Sequence, residues 1–195
     1  MSKQVILITG TPRVGKTSVA QALANRLQAQ NVNLTELAIS ENLVLRKDKR
    51  RGSTIVSLRR MKNRISQIIR DCAKNSIIID GHYAPNVVPK KLVTHVFILR
   101  RNPVELRRLM EESGFSGPKL WENLASEILD VCLVDALNAH GLNNVCEIDV
   151  SGRTTEETMN NILAVVEGRS ACHVGIVDWI GTLEKQGLLD QYLRI

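Results

Sequence analysis

The stretch GTPRVGKTS, residues 10–18, decides the fold of this chain. Its spacing fits the pattern G-x-x-x-x-G-K-[ST], a loop whose glycines let backbone N–H groups turn toward one anion. In such a loop the lysine, here Lys16, bridges the terminal phosphates of a nucleotide, and the hydroxyl of Thr17 binds magnesium. The candidate phosphate-binding residues are Gly10, Thr11, Pro12, Arg13, Val14, Gly15, Lys16, Thr17 and Ser18.

The segments on both sides of the loop follow in the order that a phosphate-binding loop requires. Residues 4–9 form a short apolar run of the kind that makes a buried parallel strand. Residues 17–30 repeat apolar side chains at helical spacing, and the N-terminus of such a helix adds partial positive charge to the anion site. The alternative is a strand-to-helix turn whose glycines match the pattern by chance.

Length and composition favour one core. With 195 residues, of which 44% are hydrophobic, the chain is long enough for one well-buried domain and short for two. The net charge of +6 suits a protein that handles anions, whether nucleotides or RNA. The first apolar run is too short for a signal peptide, and no run reaches the roughly 18 apolar residues of a membrane span. We therefore expect a cytoplasmic protein with no membrane partner.

The four cysteines are Cys72, Cys132, Cys146 and Cys172. They lie far apart and form no C-x-x-C pair, so their spacing suggests neither a zinc site nor a disulfide framework. We expect reduced, buried thiols.

Apolar runs then alternate with helical patterns, which is typical of a parallel α/β sheet. The patterns predict further strands over residues 33–39, 76–79, 94–99 and 144–149, and helices over residues 55–73, 104–112, 120–139 and 156–167. In such open sheets ligands bind beyond the carboxyl ends of the strands, so the residues that follow each strand matter most.

Three side chains near strand ends are candidates for catalysis. Asp80 ends an apolar strand, where phosphate-loop enzymes place the carboxylate that organises the magnesium shell, although ordinary strands also end in Asp to begin turns. His82 is near enough to orient water or accept a proton, or else it is a surface histidine. Arg100 ends the next strand, and its guanidinium is a candidate for neutralising charge on a transferring phosphoryl group.

Four sequence elements together resemble a known family. They are the loop Gly10–Thr17, the pair Asp80-x-His82, the strand end Ile98-Leu99-Arg100, and the pattern K-L-x-E-N-x-x-x-E-I over residues 119–128. In this order they are similar to the adenylate kinase-like ribosome-assembly ATPase family, the archaeal and nuclear type of adenylate kinase, within the P-loop nucleoside-monophosphate kinase superfamily. The resemblance spans about residues 4–167.

The resemblance implies a three-layer α/β kinase fold with a five-stranded parallel sheet flanked by helices. Residues 1–168 would form the domain, with a monophosphate-binding insertion near 36–60 and a short lid near 112–122. Members are expected to bind Mg²⁺ and ATP, to transfer the terminal phosphate to AMP or another nucleoside monophosphate or to hydrolyse it, and to act with a small-subunit ribosomal protein in maturation of that subunit. Residues 169–195 lie outside the resemblance, and we expect a helical extension that either packs on the domain or binds a partner.

Two departures from the family pattern leave the reaction open, Ser113 in the lid and the basic run Arg46–Arg51 in an insertion that is often acidic. Ser113 stands where members commonly have an arginine in the lid, so a contact to phosphate is missing there. AMP kinase activity, ATP hydrolysis with little kinase activity, and phosphorylation of another small hydroxyl substrate remain alternatives. Arg13 stands where most members have glycine, whereas thymidylate kinases have an arginine there that reaches the transferring phosphates. Arg13 is either a catalytic arginine or a side chain that points to solvent or a partner.

Two further groups of residues have open roles. The basic run Arg46–Arg51, with Arg59, Arg60, Lys62 and Arg64 behind it, is either an rRNA-facing surface or a solvated loop and helix. Residues 149–153 occupy the loop where this fold usually holds adenine. Arg153 either stacks on the base or belongs to a plain turn that Thr154 caps.

Overall fold

The computed structural model describes residues 3–48 and 53–193. The strands are β1 (Gln4–Thr9), β2 (Gln30–Asn33), β3 (Val44–Asp48), β4 (Ser53–Val56), β5 (Ser76–Asp80), β6 (His95–Arg100) and β7 (Val145–Asp149). The α-helices are α1 (Lys16–Leu27), α2 (Leu34–Ser40), α3 (Leu58–Asp71), α4 (Ala84–Val87), α5 (Pro103–Glu112), α6 (Gly117–Ile128), α7 (Val131–His140), α8 (Thr155–Val166), α9 (Trp179–Lys185) and α10 (Leu189–Tyr192).

Five strands form a parallel sheet in the order β2-β5-β1-β6-β7, which confirms the predicted fold class. β1 is central, and its apolar residues contact helices on both faces because Ile6 and Ile8 belong to one buried cluster and Leu7 to another. The register pairs Asp80 with Ile8 on one side and with Asn33 on the other. The carboxyl ends of β1, β2 and β5 therefore meet at one edge of the sheet.

The predicted second strand over residues 33–39 is wrong. β2 ends at Asn33, and residues 34–40 form helix α2. The Asn33 side chain accepts hydrogen bonds from the backbone N–H groups of Thr35 and Glu36, which is an N-cap, and Leu34 and Ala38 are buried four residues apart. Because this cap satisfies backbone N–H groups in the first turn, residues 34–40 form a helix and do not continue β2.

The predicted helix over 120–139 is two helices. α6 ends at Ile128, and α7 begins at Val131 after Asp130, whose φ of 58° lies in the left-handed region. The predicted helix over 55–73 begins instead at Leu58, because residues 53–56 form β4 and Ser57 caps the helix.

The expectation of four reduced thiols is wrong for one pair. Cys72 and Cys132 are free, whereas Cys146 and Cys172 form a disulfide. The chain after α8 returns alongside β7, where Glu147 N donates to His173 O at 2.8 Å. This return brings the Cα atoms of Cys146 and Cys172 to 5.2 Å, a contact that their separation of 26 residues does not reveal.

The segment after α8 packs on the core that contains α1 and α6. Trp179, Leu183 and Tyr192 are buried in that cluster. None of the helices within residues 3–48 and 53–193 has the length and apolar character needed to cross a membrane.

Between α2 and α3, β3 and β4 form an antiparallel hairpin. Lys49, Arg50 and Arg51 of the basic run lie outside the described residues.

Candidate active site

The loop between β1 and α1 requires glycine at both ends. Gly10 has a φ of 134°, and a Cβ atom there would lie 2.5 Å from Leu99 O, so the backbone of β6 leaves no room for a side chain. Gly15 has a φ of 105° and precedes α1. Between them Arg13 adopts a φ of 71° with its side chain exposed, a conformation that glycine tolerates better. The backbone thus forms the turn that the sequence pattern predicts.

Lys16 lies in the first turn of α1 and folds back over the loop. Its Nζ donates to Thr11 O at 2.8 Å. Burial lowers the pKa of Lys16 to about 8, against the opposing effect of nearby acidic groups such as Asp80. A buried ammonium with one carbonyl partner is poised for an anionic ligand, because phosphate oxygens would restore the charged form.

Asp80, Thr17 and Asn33 meet at the carboxyl edge of the sheet. Asp80 Oδ2 accepts hydrogen bonds from Thr17 Oγ1 and from Asn33 Nδ2, both at 2.9 Å. Asp80 Oδ1 is buried and has no hydrogen-bond partner among the described residues. Burial raises the pKa of Asp80, because a carboxylate out of water favours its neutral form.

This arrangement fits a magnesium ion. An orphaned carboxylate oxygen and a threonine hydroxyl are hard oxygen donors, which Mg²⁺ prefers, and the raised pKa of Asp80 would fall beside a cation. Thr17 would ligate the ion, and Asp80 would bind it or orient its water.

His82 follows β5 at the same edge. Burial of part of the ring and the charge of Lys16 lower the pKa of His82 to about 4. The imidazole is therefore neutral near pH 7 and can accept a proton or orient water. Its backbone carbonyl accepts a hydrogen bond from Thr9 Oγ1 at 3.1 Å, which joins the loop after β5 to the end of β1.

Arg100 does not face this edge as the sequence interpretation expected. The side chain is buried, and its Nε donates to Glu127 Oε1 at 2.9 Å. Its Nη1 donates to Glu147, and its Nη2 donates to Glu127 O and to Asp130. Each nitrogen of the guanidinium thus has a protein acceptor, because three carboxylates converge on it. We assign Arg100 to the core.

Neither Arg153 nor Ser113 belongs to the phosphate-binding loop. Arg153 precedes α8, and Ser113 follows α5. Arg153 is exposed and contributes with Asp149, Asn161 and His173 to a cavity of about 240 Å³ beside β7. Thr154 caps α8 with Glu157 in a capping box, as the turn interpretation predicts. In the predicted lid, Ser113 Oγ donates to Leu109 O at 2.6 Å.

Sequence reasoning missed Asn33 and the contact of Glu127 with the loop. Asn33 could have been found as the residue that ends β2, had the strand been placed correctly. Glu127 was noted within a motif, but its hydrogen bond from Thr11, 116 residues away, has no local signal.

The chain is similar in sequence to known proteins. Residues 6–130 match a family model described as AAA domain. The chain is 34% identical over 191 residues to "Putative adenylate kinase" of Pyrococcus furiosus, with 98% of each chain covered. It is 31% identical to the protein of the same name from Methanocaldococcus jannaschii, covering 89% of this chain and 92% of that protein.

Solved structures show the same fold. Shikimate kinase from Acinetobacter baumannii in complex with shikimate superposes with a TM-score of 0.62 at 13% identity, covering 86% of this chain and 95% of that chain. Thymidylate kinase from Candida albicans superposes with a TM-score of 0.54 at 16% identity, covering 86% of this chain and 92% of that chain.

Proposed function

This chain belongs to the P-loop kinase family of those archaeal adenylate kinase relatives, and from that membership we propose that it transfers the terminal phosphate of ATP to AMP. The coarser statement, that it is a kinase-type phosphotransferase, follows from the family itself. The observation that carries the proposal is the meeting of Lys16, Thr17 and Asp80 at one edge of the sheet.

The residues at this edge of the sheet have different roles in phosphoryl transfer. Backbone N–H groups of the loop between Gly10 and Ser18, other than at Pro12, and the N-terminus of α1 bind the phosphates of ATP, and Lys16 spans the terminal ones. Thr17 and Asp80 would hold Mg²⁺, which would neutralise charge on the phosphate oxygens. Neutral His82 orients the attacking group or accepts its proton.

Arg13 supplies the guanidinium that the lid lacks at Ser113. Its side chain is exposed at the tip of the loop, and in the proposed reaction it would contact a phosphate between donor and acceptor. The Ser113 hydroxyl is bonded within α5, so this position offers no charge to the phosphates. Arginine in the loop thus takes the place of arginine in the lid.

A second candidate is ATP hydrolysis in maturation of the small ribosomal subunit, with a ribosomal protein and rRNA as partners. It is supported by the resemblance of residues 119–128 to the assembly family and by the charge of α3. Arg59, Arg60 and Lys62 are exposed on that helix, while Arg64 is bonded to Glu41 at 2.7 Å. Exposed cations along a helix gain affinity for RNA by releasing its counterions.

Product analysis separates the candidates. ADP that forms only when AMP is present supports the kinase. Phosphate release without AMP that rises with ribosomal protein or RNA supports the assembly ATPase. ATP binding with neither reaction leaves a kinase for another small hydroxyl substrate as the remaining candidate.

A further inference from the structure

A buried carboxylate lies directly behind the phosphate-binding loop. Glu127, on α6, is 2% exposed and accepts a hydrogen bond on Oε2 from Thr11 Oγ1 at 2.5 Å. The Thr11 side chain is buried too, so its hydroxyl points away from the nucleotide side of the loop. Thr11 O, on the same residue, accepts the hydrogen bond from Lys16 Nζ at 2.8 Å. One residue therefore joins the buried carboxylate to the phosphate-binding lysine.

The other oxygen of Glu127 is fixed by three donors from two parts of the chain, the end of β6 and the start of α9. Oε1 accepts from Arg100 Nε at 2.9 Å, from Arg101 N at 3.1 Å and from Trp179 Nε1 at 3.1 Å. A carboxylate bonded on both oxygens has little freedom to rotate, and in a buried site each bond is costly to lose.

The same network reaches the segment that follows α8. Arg100 also donates to Glu147, whose Oε2 accepts from the backbone N–H groups of Gly175 and Ile176. Trp179, at the start of α9, is 7% exposed and donates directly to Glu127. The position of residues 175–179 is thus linked to the loop by consecutive hydrogen bonds.

We propose that Glu127 is a positioning residue that sets Lys16 for phosphoryl transfer through Thr11, and that Trp179 holds Glu127 in place. This inference rests on the proposed function of Lys16 at the phosphates. The carboxylate contacts no substrate. It fixes the Thr11 backbone, and the Thr11 carbonyl holds the ammonium where the transferring phosphate arrives. A small displacement of a positioned group is costly in rate, because the transition state needs the charge at one place.

The first test compares two substitutions at Thr11. Thr11→Val keeps the shape and removes the hydroxyl, whereas Thr11→Ser keeps the hydroxyl and removes a buried methyl group. We expect Thr11→Val to lower kcat about tenfold with a smaller change in KM for ATP, which is the scale of one lost buried hydrogen bond. Thr11→Ser should lose stability in urea and lose much less kcat than Thr11→Val, because it keeps the hydroxyl that binds Glu127. A parental kcat in Thr11→Val, or equal losses in both variants, would overturn the proposal.

The second test concerns the far end of the network. Trp179→Phe removes the donor to Glu127 and keeps an aromatic ring in the core. Tyr192→Phe is the matched control, because Tyr192 is also buried in the C-terminal segment and contacts Trp121 rather than Glu127. We expect kcat to fall severalfold in Trp179→Phe and to stay unchanged in Tyr192→Phe. Equal kcat values in these two variants would contradict the role of Trp179.

A measurement without turnover separates this inference from the proposed function. Lys16 in the ATP-free protein is acetylated with acetic anhydride, and its rate is followed by mass spectrometry. Thr11→Val should react severalfold faster than the parent and Thr11→Ser, because the amine leaves the Thr11 carbonyl. Equal rates in all three proteins would refute the positioning of Lys16 by Thr11, whatever the activity. Parental turnover that survives Lys16→Ala would instead remove the proposed function.

Discussion

Thr17 Oγ1 donates to Asp80 Oδ2 at 2.9 Å, while Asp80 Oδ1 is buried without a partner among residues 3–48 and 53–193. The bond joins the first turn of α1 to the end of β5, 63 residues away. It presents a hydroxyl and a carboxylate at the edge of the sheet where we propose that the loop binds phosphate. This pair is the structural basis for magnesium in the proposed reaction.

Asp80→Asn should raise the Mg²⁺ concentration for half-maximal turnover about tenfold or more, because the amide has no charge for the ion or its water. His82→Ala should slow turnover about tenfold or more with little change in ATP affinity, because His82 acts on the attacking group. Steady-state rates over a magnesium titration test both. Asp71→Asn, on the exposed end of α3, is the matched control. Equal loss of ATP affinity in the first two variants would contradict this division of roles.

Arg13→Gly removes the side chain and keeps the backbone of the loop, so it tests the role of the side chain alone. Glycine adopts the φ of 71° without strain, so the variant should fold at least as well as the parent. Turnover at saturating ATP should fall about tenfold or more, an estimate scaled down from arginines that act on transferring phosphates in other systems. ATP affinity should change little. A parental rate with each tested acceptor would show that Arg13 is not catalytic.

ATP affinity should weaken as the pH rises above about 8. Burial lowers the pKa of Lys16 to about 8 in the free protein, so above that pH the free lysine is neutral. Bound phosphates favour the charged form, so binding then takes up a proton, and the dissociation constant should rise by up to about tenfold per pH unit.

The same lowered pKa should make the ATP-free protein gain stability with rising pH between about 8 and 10.5, because there the unfolded chain binds more protons than the folded one. Calorimetric ATP titrations between about pH 8 and 10.5 measure the change in ATP affinity. Lys16→Met should abolish the dependence of ATP affinity on pH, and Lys91→Met, at an exposed lysine on another element, should retain it. A constant affinity from about pH 7 to about pH 10 would rule out the shift in Lys16.

The basic face of α3 should contribute to RNA binding through phosphate contacts. Replacing Arg59, Arg60 and Lys62 by alanine should weaken binding and flatten its salt dependence, since each lost contact lowers the number of released counterions by about one. Removing three exposed cations on other elements, Arg26, Lys91 and Arg108, keeps the same net charge and should leave the slope nearly unchanged. Fluorescence anisotropy over a salt series measures both. Identical salt dependence of RNA binding in the two triple variants would show that the basic face of α3 is solvated and does not contact RNA.

The elements that could be predicted from sequence are those whose signals are local. The β1–loop–α1 unit follows from the spacing of Gly10, Gly15 and Lys16, and β5 and β6 follow from short apolar runs. The break at Asp130 was missed because apolar residues continue with helical spacing on both sides of it. The second strand was misplaced because the cap at Asn33 is one side chain, and the apolar pattern after it fits either a strand or a helix.

The arrangement of the site depends on contacts between distant residues. Arg100 ends a strand as Asp80 does, yet its side chain lies in the core because Glu127, Glu147 and Asp130 converge on it from α6, β7 and the break before α7. Nothing local marks those partners. The pairing of Cys146 with Cys172 likewise depends on the return of the chain beside β7.

The most direct measurement of the proposed phosphotransfer is ³¹P NMR of a mixture of ATP, AMP and Mg²⁺ with the parent protein and with Lys16→Ala. Lys16 Nζ donates to the loop carbonyl of Thr11 rather than to a core residue, so its removal should leave the fold intact. Lys91→Ala, an exposed lysine elsewhere, is the matched control. We predict that the parent and the control form ADP from both nucleotides with little free phosphate, and that Lys16→Ala forms none. Free phosphate at the same rate with and without AMP, or undiminished ADP formation by folded Lys16→Ala, would contradict the proposal.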